Sequence, residues 1–576
     1  MTNFMFVRNL LIVLLTAFLS GSVAKKMRLP LIVGYLFGGI LIGNFLSHYI
    51  SQSGAIDSIA QVGVILLLFT LGLEFSPEKL KEMGLTIVLG SLIQILLTIV
   101  ASIMVFPLFG FNFYASLFLG AVFSLSSTAV ALKTLSDKGE VETLHGEMAS
   151  GWLFMQDLYT LPIIILLPSL GLAMNGGGVS VASFLVFFKS MLIAGGTFFL
   201  VLLLGKNIVP YLLEKAADFR SRELMLLAAI SFCLVFAYFF QMMGLSYGIG
   251  AFLAGVLLSS SSAHHGIFSE VRPLRDLFAT VFFVSLGFML NPGFILSSFS
   301  LILALVVFVI VLKFVISVVL LFLLGYHTKT ATLVGFSLIS VGEFAFVLAI
   351  MGISAHLITQ VTYMTILSVS FISLIISVPI LYAGDKIYYV ARSWFRTNMP
   401  LMYKALLKFD RMPLERVSAL SNHVVVLGHG RVGKYICKAL SLAQIPYIVV
   451  EYNHKLVKFL RKKGVNVIYG DPAEIDVLEF ASVREAKVLI LAYADRHTQE
   501  MVVVNAMALN PGIKIICRTH FDEDQKKLKE LGVDSVVQPE FEAAISMTEK
   551  LLHILLVDDS EIETKLRHLR SYQGLD

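Results

Sequence analysis

The chain has 576 residues, 57% of them hydrophobic and 14% charged, with a mean hydropathy of +0.85. That composition excludes an ordinary soluble globular protein and points to a membrane protein, and a net charge of +5 is too small to imply a nucleic-acid partner. Three cysteines, Cys233, Cys437 and Cys517, offer no disulfide framework, which fits a reducing cytosolic compartment.

Long uncharged runs fill the chain to about residue 390, and charged residues become dense beyond it, so residues 1–390 read as a membrane domain. The first run, near 6–24, is too long for the apolar core of a signal peptide, and Lys25, Lys26 and Arg28 follow it rather than precede it. It is expected to be a retained helix. At about 20 apolar residues per crossing, about 13 spans are expected, near 6–24, 30–48, 57–74, 84–106, 113–135, 148–170, 182–205, 223–242, 246–260, 274–291, 299–324, 329–352 and 359–384. Basic loops such as Lys79/Lys81, Lys133/Lys138, Lys206/Lys215/Arg220/Arg222 and Arg272/Arg275 fall on one side, and nearly uncharged loops on the other. By the positive-inside rule the basic side is cytoplasmic, which puts the N-terminus outside and the C-terminal part inside.

The membrane part aligns with itself. "GYLFGGILI" (34–42) matches "GAFLAGVLL" (250–258), "LFTLGLEFSPE" (68–78) matches "FVSLGFMLNPG" (283–293), and "FSLSSTAVAL" (123–132) matches "FSLISVGEFA" (336–345), at offsets of 213 to 216 residues. The offset spans an odd number of crossings, so the copies lie upside down relative to each other, an arrangement that marks secondary transporters. The third pair puts Ser124, Ser126, Ser127 and Thr128 near the centre of the fifth span, and Ser340, Gly342 and Glu343 near the centre of the twelfth. Small hydroxyl residues and glycine at that depth let a helix unwind and offer oxygens to an ion; close helix packing is the alternative.

Asp157 lies near the middle of the sixth span, where an unpaired charge costs at least about 3 kcal/mol on insertion scales. A carboxylate there can hold a proton or a monovalent cation but not both, and that competition joined to a conformational change is antiport. Gln156 beside it adds a neutral carbonyl ligand, and Pro162 removes a backbone donor. An Asp hydrogen-bonded for packing specificity is the alternative. Lys313, central in the eleventh span, needs an anion or must give up its proton, and is expected to pair with Asp157 when no cation is bound; snorkelling is the alternative. Glu343 either joins the ion site or satisfies backbone groups freed by the helix break, while Glu74, Glu223, Arg275 and Asp276 read as solvated flank charges.

After a linker, 391–420, comes "HVVVLGHGRVGKYICKAL", in which Gly428, Gly430 and Gly433 form G-x-G-x-x-G between a strand and a helix, with Arg431 and Val432 inside the loop. The strand "PYIVVE" ends at Glu451, 23 residues after the first glycine, where an acid can bind ribose hydroxyls. Further strands, "VNVIYGD", "KVLILAYAD", "KIICRTH" and "DSVVQPE", alternate with helical segments. A Rossmann-like domain over 421–545, binding an adenosine-containing ligand at a helix N-terminus, is expected. A charged helix or tail, 546–576, ends the chain, and no second regulatory domain is expected. No acid-base pair or substrate domain accompanies the site, so this is not an enzyme.

"LPLIVGYLFGGILIGN", "VGVILLLFTLGLE", "SLSSTAVALKTLSDKGE", "LFMQDL", "LSYGIGAFLAGVLLSS", "FFVSLGF", Lys313 and "SVGEFAFVL" together resemble the Kef-type potassium efflux branch of the monovalent cation:proton antiporter superfamily, along essentially the whole chain. The resemblance implies 13 helices arranged as a dimerisation domain and an elevator-like core, with the fifth and twelfth helices broken and crossed. It implies K⁺ rather than Na⁺ at Asp157 and Gln156, because the Gln-Asp pair matches the Kef pattern. The glycine-loop region resembles the domain that regulates K⁺ conductance, also called TrkA-N, which implies dimerisation and gating by an adenine nucleotide such as AMP or NAD(H). Asp471 in "YGDP" matches that family's "YGDA", and Asp495 and Arg518 are looser candidates for the ligand site. Glutathione control and an accessory subunit are expectations from the resemblance alone. The expected protein is a homodimeric K⁺/H⁺ antiporter of the bacterial inner membrane. The alternatives are Na⁺/H⁺ antiport, a ligand-gated K⁺ channel, against which the lack of a T-V-G-Y-G-like filter counts, and a membrane-bound redox enzyme.

Overall fold

The structure is a computed structural model that describes residues 2–27, 29–45, 54–74, 84–141, 143–174, 196, 221–242, 247–259, 261, 264–355, 357–401, 420–493, 495–519 and 522–572. It divides into two compact units. The first takes in Met1–Thr134, Met148–Leu320 and Val334–Tyr382, and the second Leu135–Glu147, Leu321–Leu333 and Ala383–Asp576.

The helices of the first unit follow the apolar runs: α1 (Thr2–Lys26), α2 (Leu31–Phe45), α3 (Gly54–Glu74), α4 (Gly84–Val105), α5 (Phe113–Ser124), α6 (Thr128–Asp137), α7 (Leu144–Met174), α8 (Arg222–Met242), α9 (Tyr247–Ser259), α10 (His264–Met289), α11 (Phe299–Leu323), α12 (Thr328–Ser337), α13 (Phe344–Ser354) and α14 (Gln360–Tyr382). The expected seventh span, near 182–205, lies outside the described residues. Among the described residues six helices are long and apolar enough to cross a membrane. In α11 the outward stripe Leu303, Val307, Val311, Val315 and Val319 recurs every four residues, while Leu305, Val306 and Val309 are buried. A helix apolar on both its inner and outer faces is what a lipid surround selects. The expected fifth and twelfth spans are each two helices, α5/α6 and α12/α13, with the break inside the apolar run.

Aligned glycines of the two repeats meet in pairs. A Cβ on Gly39 would lie 2.1 Å from the Val284 carbonyl oxygen, and one on Gly287 2.1 Å from that of Leu36, so α2 and α10 touch backbone to backbone. The second crossing joins α3 and α9: a Cβ on Gly255 would lie 2.1 Å from Phe69 O and one on Gly72 2.3 Å from Phe252 O. Gly39 aligns with Gly255 and Gly72 with Gly287, so each copy supplies one partner to each crossing. Small residues at such contacts let helices approach where the hydrophobic effect offers no drive between them.

The second unit is built on a six-stranded parallel sheet in the order β3-β2-β1-β4-β5-β6: β1 (Val424–Leu427), β2 (Tyr447–Glu451), β3 (Val467–Tyr469), β4 (Val488–Leu491), β5 (Lys514–Arg518) and β6 (Ser535–Val537). Every residue of β1 is buried, and β1 pairs with β2 and β4 in register from Val424 to Leu427. This is the doubly wound order in which a ligand sits beyond the carboxyl ends of the central strands. Helices α15 (Gly384–Asn398), α16 (Gly433–Leu442), α17 (His454–Lys462), α18 (Ile475–Phe480), α19 (Arg496–Leu509), α20 (Asp522–Glu530), α21 (Pro539–Ile554) and α22 (Asp559–Tyr572) complete the unit.

Segments 135–147 and 321–333 are held to the rest of this unit by buried charge. Lys329 Nζ lies 2.9 Å from Asp495 Oδ2 and 3.6 Å from Asp385 Oδ1, and Lys138 Nζ lies 3.0 Å from Asp385 Oδ2 and 2.8 Å from Glu140 Oε1. Burial opposes ionisation of Asp495, but the Lys329 ammonium and hydrogen bonds from Lys329 and Thr498 hold its carboxyl below the usual carboxylate range. Removing one partner from such a group leaves an uncompensated buried charge.

Two outcomes follow from this packing. Gly255→Val should destabilise the first unit by about 1–3 kcal/mol or more, whereas Gly266→Ala, whose Cβ would meet only the flexible end of Met225 at 3.2 Å, should be near neutral. Thermal unfolding in detergent compares them. Lys329→Met should lower the stability of the second unit by about 3–5 kcal/mol in chemical denaturation, and an unchanged midpoint would contradict the role given to the pair.

Candidate functional site

In the first unit the site is the point where the two helix breaks cross. α5 ends at Ser124, Leu125 is extended, with φ −77° and ψ 139°, and α6 begins at Thr128. The other break runs from Leu338 to Glu343. The chains touch at Gly342, where a Cβ would lie 2.6 Å from Ser126 O, and Gly342 N donates to Leu125 O at 3.1 Å. Breaking a helix in an apolar surround frees backbone groups that no solvent can satisfy, so protein atoms must take them up.

The residues expected from the sequence do much of that work. Ser126 N donates to Gln156 Oε1 at 2.8 Å and Ser126 Oγ to Leu338 O at 2.8 Å. Ser127 N donates to Ser340 Oγ at 3.3 Å, and Ser127 Oγ to Glu343 Oε2 at 3.1 Å. The Lys313 side chain is fully buried, and its Nζ donates to Leu125 O at 2.8 Å and Ser340 O at 2.7 Å. The expected Lys313–Asp157 pair is not what forms: carbonyls freed at the breaks take the ammonium instead. Such carbonyls carry the negative end of a half-helix dipole, which a lysine complements.

Asp157 is half-buried and accepts a hydrogen bond from Thr128 Oγ1 at 2.7 Å. Thr128 opens α6, so the carboxylate lies at the positive end of a half-helix. Gln156 is fully buried, and its amide also donates to Gln94 Oε1 at 2.6 Å. Gln94 in α4 and Ser373 in α14, which donates to Ser370 O and accepts from Val341 N at 3.1 Å, were not singled out in the sequence. For Gln94 a signal existed: it is an amide in the middle of the fourth span, open to the same test as Gln156. Ser373 is one of many serines in its span and carried none.

In the second unit the glycine loop joins β1 to α16. Gly428 has φ +90°, and a Cβ on Gly433 would lie 2.0 Å from Gly428 O, so the helix packs directly on the turn. A Cβ on Gly430 would meet nothing within 4 Å. Beside the loop lies a cavity of about 280 Å³ lined in part by Gly428, Gly430, Arg431, Glu451 and Arg518. Glu451 Oε2 accepts from His429 N at 2.8 Å and Oε1 from Tyr452 N and Asn453 N, both at 2.9 Å. Burial pushes this carboxyl up and those backbone donors hold it back. Val432 and Gly433 stand at the start of α16 rather than on the cavity wall. Asp471 accepts from Ala473 N at 3.0 Å and from the Tyr389 hydroxyl at 3.3 Å, and Asp495 caps α19 and pairs with Lys329; neither lines the cavity.

The family model described as sodium/hydrogen exchanger, transmembrane, matches residues 13–383, and that of the TrkA-N domain matches 424–539. YbaL of Escherichia coli (strain K12), named as a candidate cation/proton antiporter, is 30% identical over 543 residues, 93% of this chain and 96% of its own length. A glutathione-regulated potassium-efflux system protein of Haemophilus influenzae is 28% identical over 551 residues, 95% of this chain and 86% of its own. The sodium proton antiporter MjNhaP1 from Methanocaldococcus jannaschii superposes on 66% of this chain and 98% of its own with a TM-score of 0.53 at 18% identity, a likeness of fold. The exchanger match covers most of the chain and the crossed breaks lie inside it, so the chain belongs to the sodium/hydrogen exchanger family, in its Kef-type branch with a C-terminal TrkA-N domain, and it is a transporter rather than an enzyme.

Proposed function

We propose that the protein exchanges K⁺ for H⁺ by alternating access, with the two cations competing for Asp157, and that nucleotide occupancy of the TrkA-N domain gates this exchange. The observation that carries the reading is Asp157 against Thr128 at the start of a half-helix, beside the crossed breaks. In that position the carboxylate can hand a proton to water or accept a monovalent cation, with the hydroxyl of Thr128 and oxygens of the breaks as further ligands.

K⁺ is favoured over Na⁺ by the neutral neighbour. Gln156 contributes no charge, and a site with one carboxylate among neutral oxygens has a weaker field than one with two carboxylates. A weak field suits the cation that sheds its water more easily. The potassium-efflux name of the Haemophilus relative agrees with this choice. Lys313 ties the two breaks together beside this site through its bonds to Leu125 O and Ser340 O.

The working form is taken to be a homodimer in the bacterial inner membrane, joined through both units, with the N-terminus outside and the TrkA-N domain in the cytoplasm. The regulatory ligand is an adenine nucleotide at the glycine loop, and glutathione is a second effector to be tried in the same assay.

The test is cation-driven proton flux in proteoliposomes with an internal pH dye. Wild type should dissipate a proton gradient with K⁺, and Asp157→Asn should lose exchange while keeping its melting temperature. Competition also fixes a sign: lowering the pH protonates Asp157, so the apparent KM for the cation should rise as pH falls, with the limiting rate little changed. Flux with Na⁺ alone would reverse the ion assignment, and normal exchange by Asp157→Asn would remove the carboxylate from the mechanism. Lys313→Met should behave differently, because it strands Leu125 O and Ser340 O. A loss of about 1–3 kcal/mol for each unsatisfied group should appear as lower stability together with lower flux.

A further inference from the structure

The helix that follows the last apolar span has its faces reversed. α14 ends at Tyr382 and α15 begins at Gly384. In α15 the inward side is polar: Asp385, Tyr388, Tyr389 and Arg392, spaced i, i+3, i+4 and i+7, share one face. Asp385 Oδ2 lies 3.0 Å from Lys138 Nζ, and Tyr388 Oη lies 3.2 Å from Thr328 Oγ1. Tyr389 Oη accepts from Lys329 Nζ at 3.1 Å and donates to Asp471 Oδ2 at 3.3 Å, and Arg392 pairs with Glu474.

The opposite face carries Ile387, Val390 and Trp394, spaced i, i+3 and i+7, and it is open: Val390 is 61% and Trp394 52% exposed. In the same unit α17 has the ordinary arrangement, with Val457 and Leu460 buried and Lys458 and Lys462 exposed. A helix that is amphipathic in the reverse sense fits a surround that is not water on its outer side.

Charge and place in the chain identify that surround. The exposed charged residues of α15 are Lys386 and Arg396, both basic, while its one acid, Asp385, is buried. Gly384 is two residues from the end of α14, a helix long and apolar enough to span a membrane, so at most about 7 Å of chain separates them. The headgroup layer of a bilayer is about 5–8 Å thick on each side. From Gly384 to Trp394 the axial rise is about 15 Å, so a helix running straight away from the bilayer would carry Trp394 through that layer into water. Lying along the surface, the same helix keeps Ile387, Val390 and Trp394 at the depth where tryptophan is enriched.

We propose that the outward face of α15 is a lipid-docking surface: Ile387, Val390 and Trp394 enter the boundary between headgroups and acyl chains of the cytoplasmic leaflet, and Lys386 and Arg396 select anionic lipid. This rests on the cytoplasmic placement of the TrkA-N domain given above, and it involves neither the ion site nor the glycine loop.

The experiment uses the full-length protein in vesicles and reads tryptophan quenching. The chain has two tryptophans, Trp152 and Trp394, and Trp152 is fully buried, so the difference between wild type and Trp394→Phe isolates the signal of α15. That signal should be quenched by phospholipids brominated on the acyl chain and shielded from aqueous acrylamide. Brominated phosphatidylglycerol should quench it more than brominated phosphatidylcholine at the same fraction, with an enrichment of up to about fivefold for a basic residue at the surface, and Lys386→Gln combined with Arg396→Gln should abolish the difference. Quenching by acrylamide and not by brominated lipid would place the face in water and end the proposal. Shielding from both quenchers would show that protein, a second copy or another segment of this chain, covers the face, which also overturns it. Equal quenching by the two brominated lipids would overturn the selection of anionic lipid.

Discussion

The crossing at Gly342 and Leu125 is the constraint on which the membrane unit depends. Two helices are interrupted in an apolar surround, and each interruption frees N–H and C=O groups that would cost several kcal/mol apiece if left unpaired. The chain meets this with side chains: Gln156 and Ser340 take the Ser126 and Ser127 amides, Ser373 takes that of Val341, and Lys313 takes Leu125 O and Ser340 O. The residues that make the break tolerable are therefore the same ones that shape the space around Asp157. A substitution at Gln156 or Lys313 cannot change ion chemistry alone, because each also holds backbone in place.

Lys313 shows how burial and function are joined. A lysine with no exposed surface needs a compensating partner, and the partner here is a pair of carbonyls at helix breaks rather than a carboxylate. Asp157 has the Thr128 hydroxyl among its partners.

Most of the membrane fold was legible because the rules there are few. Apolar length marks the helices, and three short matches at one offset marked the repeat, which the reciprocal contacts of Gly39 with Gly287 and Gly72 with Gly255 make physical. Ser126, Ser127 and Ser340 were readable as a break because they fall, with Gly342, in the matched stretches of the repeat near mid-span. The Lys313 partner was not readable: charge logic selects a carboxylate, and only the three-dimensional course of the breaks makes two carbonyls the nearer acceptors. In the sheet domain the glycine loop and Glu451 were fixed by motif spacing, but Asp471 and Asp495 sit at the carboxyl ends of strands whether they face a ligand or a lysine. Their roles depend on Tyr389 and Lys329, which are distant in sequence, and no local pattern carries that pairing.

The division into units has a mechanical consequence. Two helices that reach the crossed breaks begin in segments belonging to the second unit: α7, which opens at Leu144 and carries Gln156 and Asp157, and α12, which opens at Thr328 and ends at the break before Ser340. Lys329, in the first turn of α12, is bound to Asp495 at the cap of α19. A helix resists axial compression because every turn is hydrogen-bonded to the next. An interrupted helix lacks that continuity at the break, and displacement there is absorbed by the few residues without helical partners. In α12/α13 those residues are Leu338 to Glu343, which hold Ser126, Ser127 and Lys313.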